Sequence, residues 1–280
     1  MRVLVACEFS GTVRDAFAKR GHAVWSCDLL PTDRPGLHYQ GDARHLLDGW
    51  MPVKFSADCD PDGDGWCSVT DSDPAECCCI GPTQDGIEYL ETPHGLFGRP
   101  EGSPRWDLII AHPPCTYLTI SAEWAYGNGP YHQQVKPETL VGKARIEARE
   151  AAIEFFAAIL NAPCERIAIE NPVGVISTRI RKPNQVIQPW QFGHDAAKAT
   201  CLWLKGLPPL SPTAVLKGGR WARRANQTDG GQNRLPPSPD RWKLRAATYL
   251  GIAEAMAEQW GEPARYDLFA QQPFAPKEPE

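Results

Sequence analysis

Two short apolar segments each run directly into residues whose side chains could do chemistry. Residues 108–111 are apolar and are followed by Pro113-Pro114-Cys115, and residues 167–169 are followed by Glu170-Asn171-Pro172. Proline cannot continue a central ladder, so both segments are predicted to be strands that end at these motifs. A thiol held on a stiff turn is suited to covalent chemistry, because a reacting atom must be held in attack geometry. The alternative is a cysteine buried beside a proline-rich turn.

These motifs gain meaning from the sheet that would position them. In an open α/β sheet, ligands bind just beyond the carboxyl ends of the strands. The N-terminal residues predict such a sheet: a strand at 3–6, a helix at 13–20 and a second strand at 23–27, with Asp28 at its end. This is the layout of a nucleotide-cofactor half-domain, in which the terminal acid binds ribose hydroxyls.

The turn after the first strand argues against a dinucleotide. It contains one glycine, Gly11, where the dinucleotide fingerprint has three, so we expect a cofactor without a pyrophosphate. Gly41-Asp42 follows a short segment at 37–39 and offers a second carboxylate. Taken individually, Asp28 and Asp42 are better explained as helix N-caps.

Charge is distributed unevenly along the 280 residues, although the net charge is only −5. Ten acidic residues and no Lys or Arg lie in 58–91, whereas 179–245 contains thirteen Lys or Arg and three Asp. The basic segment predicts a face for a polyanion. The start of the chain does not resemble a signal peptide, and no apolar run is long enough to span a membrane. We therefore expect a cytoplasmic protein.

Cysteines cluster in an irregular stretch at 51–105, which we interpret as an insert. In a reducing compartment, clustered cysteines favour metal binding or catalysis over disulfides. Four thiolates suit a structural zinc ion, and we assign them to Cys59, Cys67, Cys77 and Cys79. The alternative is an acidic loop with reduced cysteines.

The remaining segments complete the predicted domain organisation. We expect a helix at 137–160, a strand at 200–204 and a final helix at 250–260. The predicted parts are a catalytic core, an acidic Cys-rich insert, a short basic recognition region, a C-terminal helix returning to the core and a flexible tail. Their ranges are 1–50 with 106–205, 51–105, 206–245, 246–262 and 263–280.

The ordered set of strand-end motifs resembles the DNA cytosine-5 methyltransferase family, especially its short bacteriophage and prophage members. Phe9-Ser10-Gly11 looks like the first cofactor motif, Pro113-Pro114-Cys115 the nucleophile turn and Glu170-Asn171 the catalytic Glu-Asn element. Asp28 matches the acid that binds the ribose of S-adenosylmethionine, and Asp42 the acid that contacts its adenine amine. The resemblance spans residues 1 to about 175, without the insert.

The chain also departs from the family pattern. The first motif lacks two glycines, Thr116 stands where the family has Gln, and no clear Gln-x-Arg-x-Arg element is present. The region at 206–240 that is free for target recognition is very short. These departures bear on sequence-specific readout more than on the chemistry.

The resemblance implies a Rossmann-like α/β fold, S-adenosylmethionine as cofactor and cytosine in DNA as substrate. Cys115 would attack carbon 6 of the base, Glu170 would protonate or hydrogen-bond ring nitrogen 3, and Asn171 would orient the glutamate and the base. This chemistry calls for thiolate character in Cys115 and a pKa of Glu170 raised toward neutrality by partial burial. The alternatives are methylation of RNA or of a pyrimidine nucleotide, and a non-catalytic nucleic-acid-binding protein on a degenerate methyltransferase fold.

Overall fold

The first half of the molecule begins as a strand–helix–strand unit. The computed structural model describes residues 1–52, 87–92, 95–100, 106–120, 122–131, 135, 137–216 and 241–262. Its first elements are β1 (Arg2–Ala6), α1 (Thr12–Ala18), β2 (Ala23–Asp28) and β3 (His38–Gln40), and a 3₁₀ turn follows at Ala43–Leu46. The nucleotide-cofactor layout predicted from the sequence is therefore present.

Three further strands lie in the segment that the sequence indicates is an insert. They are β4 (Met51–Pro52), β5 (Ile87–Thr92) and β6 (Gly95–Pro100), and they pair in an antiparallel sheet of their own in the order β4-β6-β5. The expectation of an irregular insert is wrong for these residues. Antiparallel pairing between close neighbours in sequence needs no helical crossover, so it can form without the hydrophobic periodicity on which we relied.

The second half supplies the rest of the main sheet. The elements are β7 (Leu108–Ala111), α2 (Gly142–Leu160), β8 (Ile167–Pro172), α3 (Ile176–Arg179), β9 (Gln185–Ile187), β10 (Thr200–Lys205), α4 (Arg241–Ala246) and α5 (Leu250–Trp260). Helix α2 begins five residues later than predicted. Glu138 and Gly142 both have positive φ, 67° and 57°, and such residues cannot extend a right-handed helix toward the N-terminus.

The main sheet has seven strands in the order β3-β2-β1-β7-β8-β10-β9. The first five strands are parallel, and β10 inserts antiparallel between β8 and β9. The strand order reverses between β1 and β7, which is where such sheets open a ligand crevice at their carboxyl ends. The predicted Rossmann-like α/β fold is confirmed.

Alternate residues of the central strands enter two separate cores. One core joins Leu4, Ile109 and Ile169 to Phe156 of α2, and the other joins residues such as Val5 to helices α1 and α5. Side chains alternate between the faces of a strand, so this division means that helices cover both faces of the sheet. The C-terminal helix packs on the α1 side, where Trp260 is fully buried. The carboxyl edge of the sheet is left as the place for a site.

Candidate active site

Four polar residues stand in one row along the carboxyl edge of the parallel strands. The register pairs Ala6 with Cys27 on one side and with Ala111 on the other, and it pairs Ala111 with Ile169. The residues that directly follow these four therefore lie side by side in the order β2, β1, β7 and β8; they are Asp28, Cys7, His112 and Glu170. The register thus brings the predicted cofactor acid and the predicted catalytic acid to the same level of the sheet.

The carboxyl group of Glu170 is paired with an imidazole. Nδ1 of His112 lies 3.0 Å from Oε2 of Glu170, and the two side chains are only 9% and 15% exposed. Burial alone would raise the pKa of Glu170. The hydrogen bond from His112 and the positive charge of Lys198 outweigh burial and lower that pKa. The expectation of a raised pKa is therefore wrong for the free protein.

Asn171 ties the end of β8 to the nucleophile turn. Its Nδ2 donates to the carbonyl oxygen of Pro113 at 2.7 Å, and the residue is 2% exposed. Its Oδ1 is buried and has no hydrogen-bond partner among the described residues. The Asn171 side-chain amide thus reaches the neighbouring strand end.

The two strand-end loops also pair through their backbones. The amide of Val175 donates to the carbonyl of Leu118 at 2.8 Å, and Thr119 forms an isolated bridge with Gly174. A side chain at Gly174 would collide with the backbone of Leu118, so only glycine permits this approach. The sequence alone gives no signal at Gly174, because a glycine two residues after a proline has many ordinary explanations.

Cys115 is exposed at the mouth of the crevice. The protein around its Sγ removes some of the water, and this desolvation, together with the negative charge of Glu170, raises the pKa of the Cys115 thiol. The positive charges of Lys198 and Arg245 act in the opposite direction. The free protein therefore lacks the thiolate character that we expected at this residue.

A pocket of about 200 Å³ lies beside the nucleophile turn. It is bounded by residues from the ends of β1 and β2, from the 3₁₀ turn, from the nucleophile turn and from α2. Its lining comprises Cys7, Asp28, Leu29, Gly41, Asp42, Ala43, Arg44, Pro114 and Phe155. The predicted cofactor residues Asp28 and Asp42 meet here, whereas Phe9, Ser10, Gly11 and Pro113 do not line the pocket.

Asp28 and Leu29 give the pocket its polar and apolar surfaces. Oδ1 of Asp28 accepts from the amide of Leu30 at 3.0 Å, and burial raises the pKa of Asp28. Leu29 is 71% exposed although it is apolar. A carboxylate beside exposed apolar surface fits a nucleoside, whose ribose donates hydrogen bonds and whose base is flat and apolar.

Both carboxylate oxygens of Asp42 accept hydrogen bonds within its own turn. Its Oδ1 accepts from the amide of Arg44 at 2.9 Å, and its Oδ2 pairs with the Arg44 guanidinium at 2.8 Å. Burial raises the pKa of Asp42, but these hydrogen bonds outweigh it and the net shift is downward. The structure thus bears out the N-cap interpretation of Asp42. The Arg44 guanidinium also lies 4.4 Å from the ring centre of Phe155, on another wall of the pocket.

The first motif is buried behind the site, where Glu8 fills the start of α1. Its carboxylate accepts from the amides of Val13 at 2.6 Å and Arg14 at 3.1 Å, and from Ser10 Oγ at 3.3 Å. Phe9 and Ser10 are 7% and 8% exposed. Since an acidic side chain already satisfies the amides of Val13 and Arg14, these two donors are not free to bind a phosphate.

The basic segment reaches the site through Lys198. Its Nζ donates to the carbonyl oxygen of Arg245 at 3.0 Å, and its charge acts on both Glu170 and Cys115. Trp203, one aromatic residue of this segment, is fully buried and donates to the carbonyl of Arg181 at 2.8 Å, so it belongs to the core.

The predicted zinc site cannot be compared with the structure. Cys59, Cys67, Cys77 and Cys79 all lie outside the described residues. Within the described ranges, no group of three or more His, Cys, Asp or Glu is arranged to hold a metal ion. Zinc binding by the insert stays a prediction. Of the helices that the structure describes, none is long and apolar enough to cross a membrane.

Comparison with known proteins gives structural similarity at low sequence identity. No protein-family model matches the chain, and no curated protein matches it. The chain is similar to a crystal structure of an inferred DNA modification methyltransferase encoded within an E. coli prophage, at 12% identity and a TM-score of 0.36. The similarity covers 77% of this chain and 52% of the other, so the chain spans about half the length of that protein. A TM-score this low carries no inference about fold or activity.

Proposed function

We propose that this protein uses S-adenosylmethionine to methylate carbon 5 of cytosine in DNA, with Cys115 as a covalent nucleophile. One observation carries the proposal: the Cys115 turn adjoins both Glu170 and the pocket that contains Asp28. A nucleophile, an acid and a nucleoside-shaped pocket at the switch point of a Rossmann-like sheet are the parts that this reaction needs.

The chemistry requires the cysteine because carbon 5 of cytosine is a poor nucleophile. Sγ of Cys115 loses its proton and bonds to carbon 6, and the displaced electron pair moves into the ring as nitrogen 3 takes a proton. The electron-rich carbon 5 would then take the methyl group as its bond to the donor sulfur breaks, and would lose its own hydrogen as a proton. Departure of Sγ restores the double bond between carbons 5 and 6, and nitrogen 3 returns its proton to Glu170.

Glu170 supplies the proton to nitrogen 3. In the free protein its carboxyl group is held in the charged form by His112 and Lys198. A base stacked over the crevice would exclude water from this carboxyl group, and burial favours its neutral form. Proton uptake by Glu170 would therefore accompany base binding.

The Cys115 thiol must lose its proton, although the negative charge of Glu170 opposes the formation of a thiolate. Its pKa is raised in the free protein, partly because Glu170 is negative. Once Glu170 is neutral, that repulsion is gone, while the positive charges of Lys198 and Arg245 still favour the thiolate. Protonation of the acid and ionisation of the nucleophile thus support one another.

The pocket residues fit S-adenosylmethionine as the methyl source. Bound there, this cofactor would supply an electrophilic methyl group at a sulfonium centre. Asp28 would accept hydrogen bonds from the ribose hydroxyls, and Leu29 would cover an apolar ring face. Asp42 is engaged by Arg44. The contact with the adenine amine that the resemblance implies for Asp42 therefore has less support than the ribose contact of Asp28. The occupation of the Val13 and Arg14 amides by Glu8 agrees with a cofactor that has no phosphate.

DNA would be held by the basic segment at 179–245, and the target base would have to leave the duplex to reach Cys115. The short region available for base contacts leads us to expect a short recognition sequence. We propose a cytoplasmic location, and RNA or a pyrimidine nucleotide is the alternative substrate class.

The test is covalent trapping on DNA that carries 5-fluorocytosine. Fluorine at carbon 5 cannot leave as a proton, so the protein should stay bonded to the DNA through Cys115. Cys115→Ser should form no such complex while still binding DNA, and Glu170→Gln should form it about 10²–10⁴-fold more slowly. Cys164→Ala, in the core, is the matched control. If the covalent complex forms on RNA alone, the substrate is RNA. If the protein does not bind S-adenosylmethionine, the non-catalytic alternative is favoured.

A further inference from the structure

His112 is a buried polar residue to which the reaction above gives no task of its own. It directly follows β7, and its backbone amide donates to the carbonyl of Ala6 at 2.9 Å, which fixes its place in the row of strand ends. Its ring makes one side-chain contact at hydrogen-bond distance among the described residues, from Nδ1 to Oε2 of Glu170 at 3.0 Å. The second ring nitrogen, Nε2, is buried and has no partner there.

The contact at Nδ1 and the missing partner at Nε2 determine which ring nitrogen of His112 carries the hydrogen. Glu170 can only accept at Oε2 in its charged form, so Nδ1 must carry the hydrogen. If Nε2 also carried one, a buried donor would be unsatisfied, which is costly. The neutral ring with its hydrogen on Nδ1 therefore suits the surroundings of His112 best.

The pair is faced by few other charges. Asp28, at the end of β2, lies in the same row of strand ends, and Lys198 and Cys201 interact electrostatically with Glu170. Cys115 on the adjoining turn feels the charge of Glu170. None of these groups is hydrogen-bonded to the Glu170 carboxyl group in the described structure, so His112 is the residue that fixes its orientation.

We propose that His112 is a positioning residue that holds Oε2 of Glu170 as an acceptor and leaves Oε1 as the oxygen that faces the base. This inference rests on the proposed function, because it assigns the proton-carrying oxygen of the same acid. When Glu170 takes up a proton, Oε2 remains the carbonyl oxygen that accepts from Nδ1, and Oε1 becomes the hydroxyl that donates to ring nitrogen 3.

The first measurement follows Glu170 in the free protein and needs no activity. Protein labelled with ¹³C at the glutamate side-chain carboxyl carbon is titrated by NMR, and the Glu170 signal is identified by its loss in Glu170→Gln. In His112→Leu the Glu170 pKa should rise, because the charged form loses its donor. In His112→Asn the amide nitrogen can take the place of Nδ1, and the Glu170 pKa should stay near the wild-type value. Identical Glu170 titrations in wild type and His112→Leu would overturn the inference.

The second measurement separates positioning from a general loss of structure. His112→Leu should lower kcat for methyl transfer by about 10²-fold, the cost of a misplaced group, while the KM for S-adenosylmethionine stays unchanged. His112→Asn should restore most of kcat, and His22→Leu, on the far side of α1, should change neither constant. If kcat falls in His112→Leu and His112→Asn does not restore it, the inference that His112 positions Glu170 through this hydrogen bond is overturned. If the wild type transfers no methyl group, the proposed function fails, and the NMR titration alone decides the role of His112.

Discussion

Asn171 and Pro113 lie 58 positions apart in the chain and are joined by a hydrogen bond of 2.7 Å from the Asn171 side-chain amide to the Pro113 carbonyl oxygen. The bond is buried and links the Glu-Asn segment directly to the turn that carries the nucleophile. The asparagine thus acts on Cys115 through the backbone of the turn, in addition to the role at the base that the resemblance implies.

Removing this amide should loosen the turn and destabilise the fold. Asn171→Ala leaves the buried Pro113 carbonyl without its donor, so we expect the free energy of unfolding to fall by about 1–3 kcal/mol. Urea denaturation measures the change. Asn161→Ala, at an exposed position after α2, is the control and should stay within about 0.5 kcal/mol of wild type. Equal stabilities of the two variants would contradict a structural role for the Asn171 bond.

The raised pKa of Cys115 predicts how its reactivity depends on pH. Iodoacetamide attacks the thiolate, so the alkylation rate should rise with pH around a midpoint above that of a free cysteine. Glu170→Gln removes one cause of the shift and should move this midpoint to lower pH, whereas Glu165→Gln, which is exposed, should not. Peptide mass spectrometry assigns the modification to Cys115. An alkylation midpoint that is the same in Glu170→Gln and wild type would refute electrostatic coupling between Glu170 and Cys115.

The two carboxylates of the pocket should respond differently to truncation. Asp28→Ala should weaken S-adenosylmethionine binding by about 1.5–3 kcal/mol, the value of a hydrogen bond to a charged group. Asp42→Ala should mainly reduce stability, by about 0.5–2 kcal/mol, because it loses the cap of the 3₁₀ turn.

Calorimetric binding and thermal unfolding on the same preparations separate these effects. Asp33→Ala, an exposed aspartate of the loop after β2, is the matched control for both measurements. Unchanged cofactor affinity in Asp28→Ala would mean that this carboxylate serves only the Leu30 amide.

The cysteines of the insert are expected to hold one zinc ion. Elemental analysis of protein purified without chelators should find about one equivalent, and the Cys77→Ser/Cys79→Ser double variant should lose it. Cys115→Ser should keep the metal. Because zinc binds thiolates, its occupancy should fall at acid pH. A metal-free wild type would leave the acidic loop with reduced cysteines as the better interpretation.

Sequence patterns identify the buried elements of this fold well. The four apolar residues of β7 and the helix at Leu250–Trp260 have the predicted bounds, because β7 is continuously apolar and the helix carries apolar residues at helical spacing. Strand β9 was missed, since three residues, Gln185–Ile187, are too few to show a period of two. Its place in the sheet comes from pairing with β10, which is a tertiary contact.

The electrostatics of the candidate site were not predicted from the sequence. Sequence order indicates that Cys115 and Glu170 both end strands, and the structure adds that β7 and β8 are neighbours in register. His112 escaped notice because a single histidine before two prolines is not informative without that register. The lowered pKa of Glu170 depends on His112 and Lys198, which are distant from it in sequence and reach it only through the fold.

The paired loops after β7 and β8 have a consequence for how a substrate can enter. Asn171 and Gly174 fasten the Glu-Asn segment to the Pro-Pro-Cys turn at two points, so nucleophile and acid behave as parts of one rigid body. The spacing between them is then set before any ligand arrives, and no ordering entropy is lost in these loops on binding. A base can therefore be admitted only by movement of the surrounding segments or of the nucleic acid itself. The two loops would form a rigid catalytic surface. Selectivity would then depend on the protein segments or the nucleic acid that move against that surface.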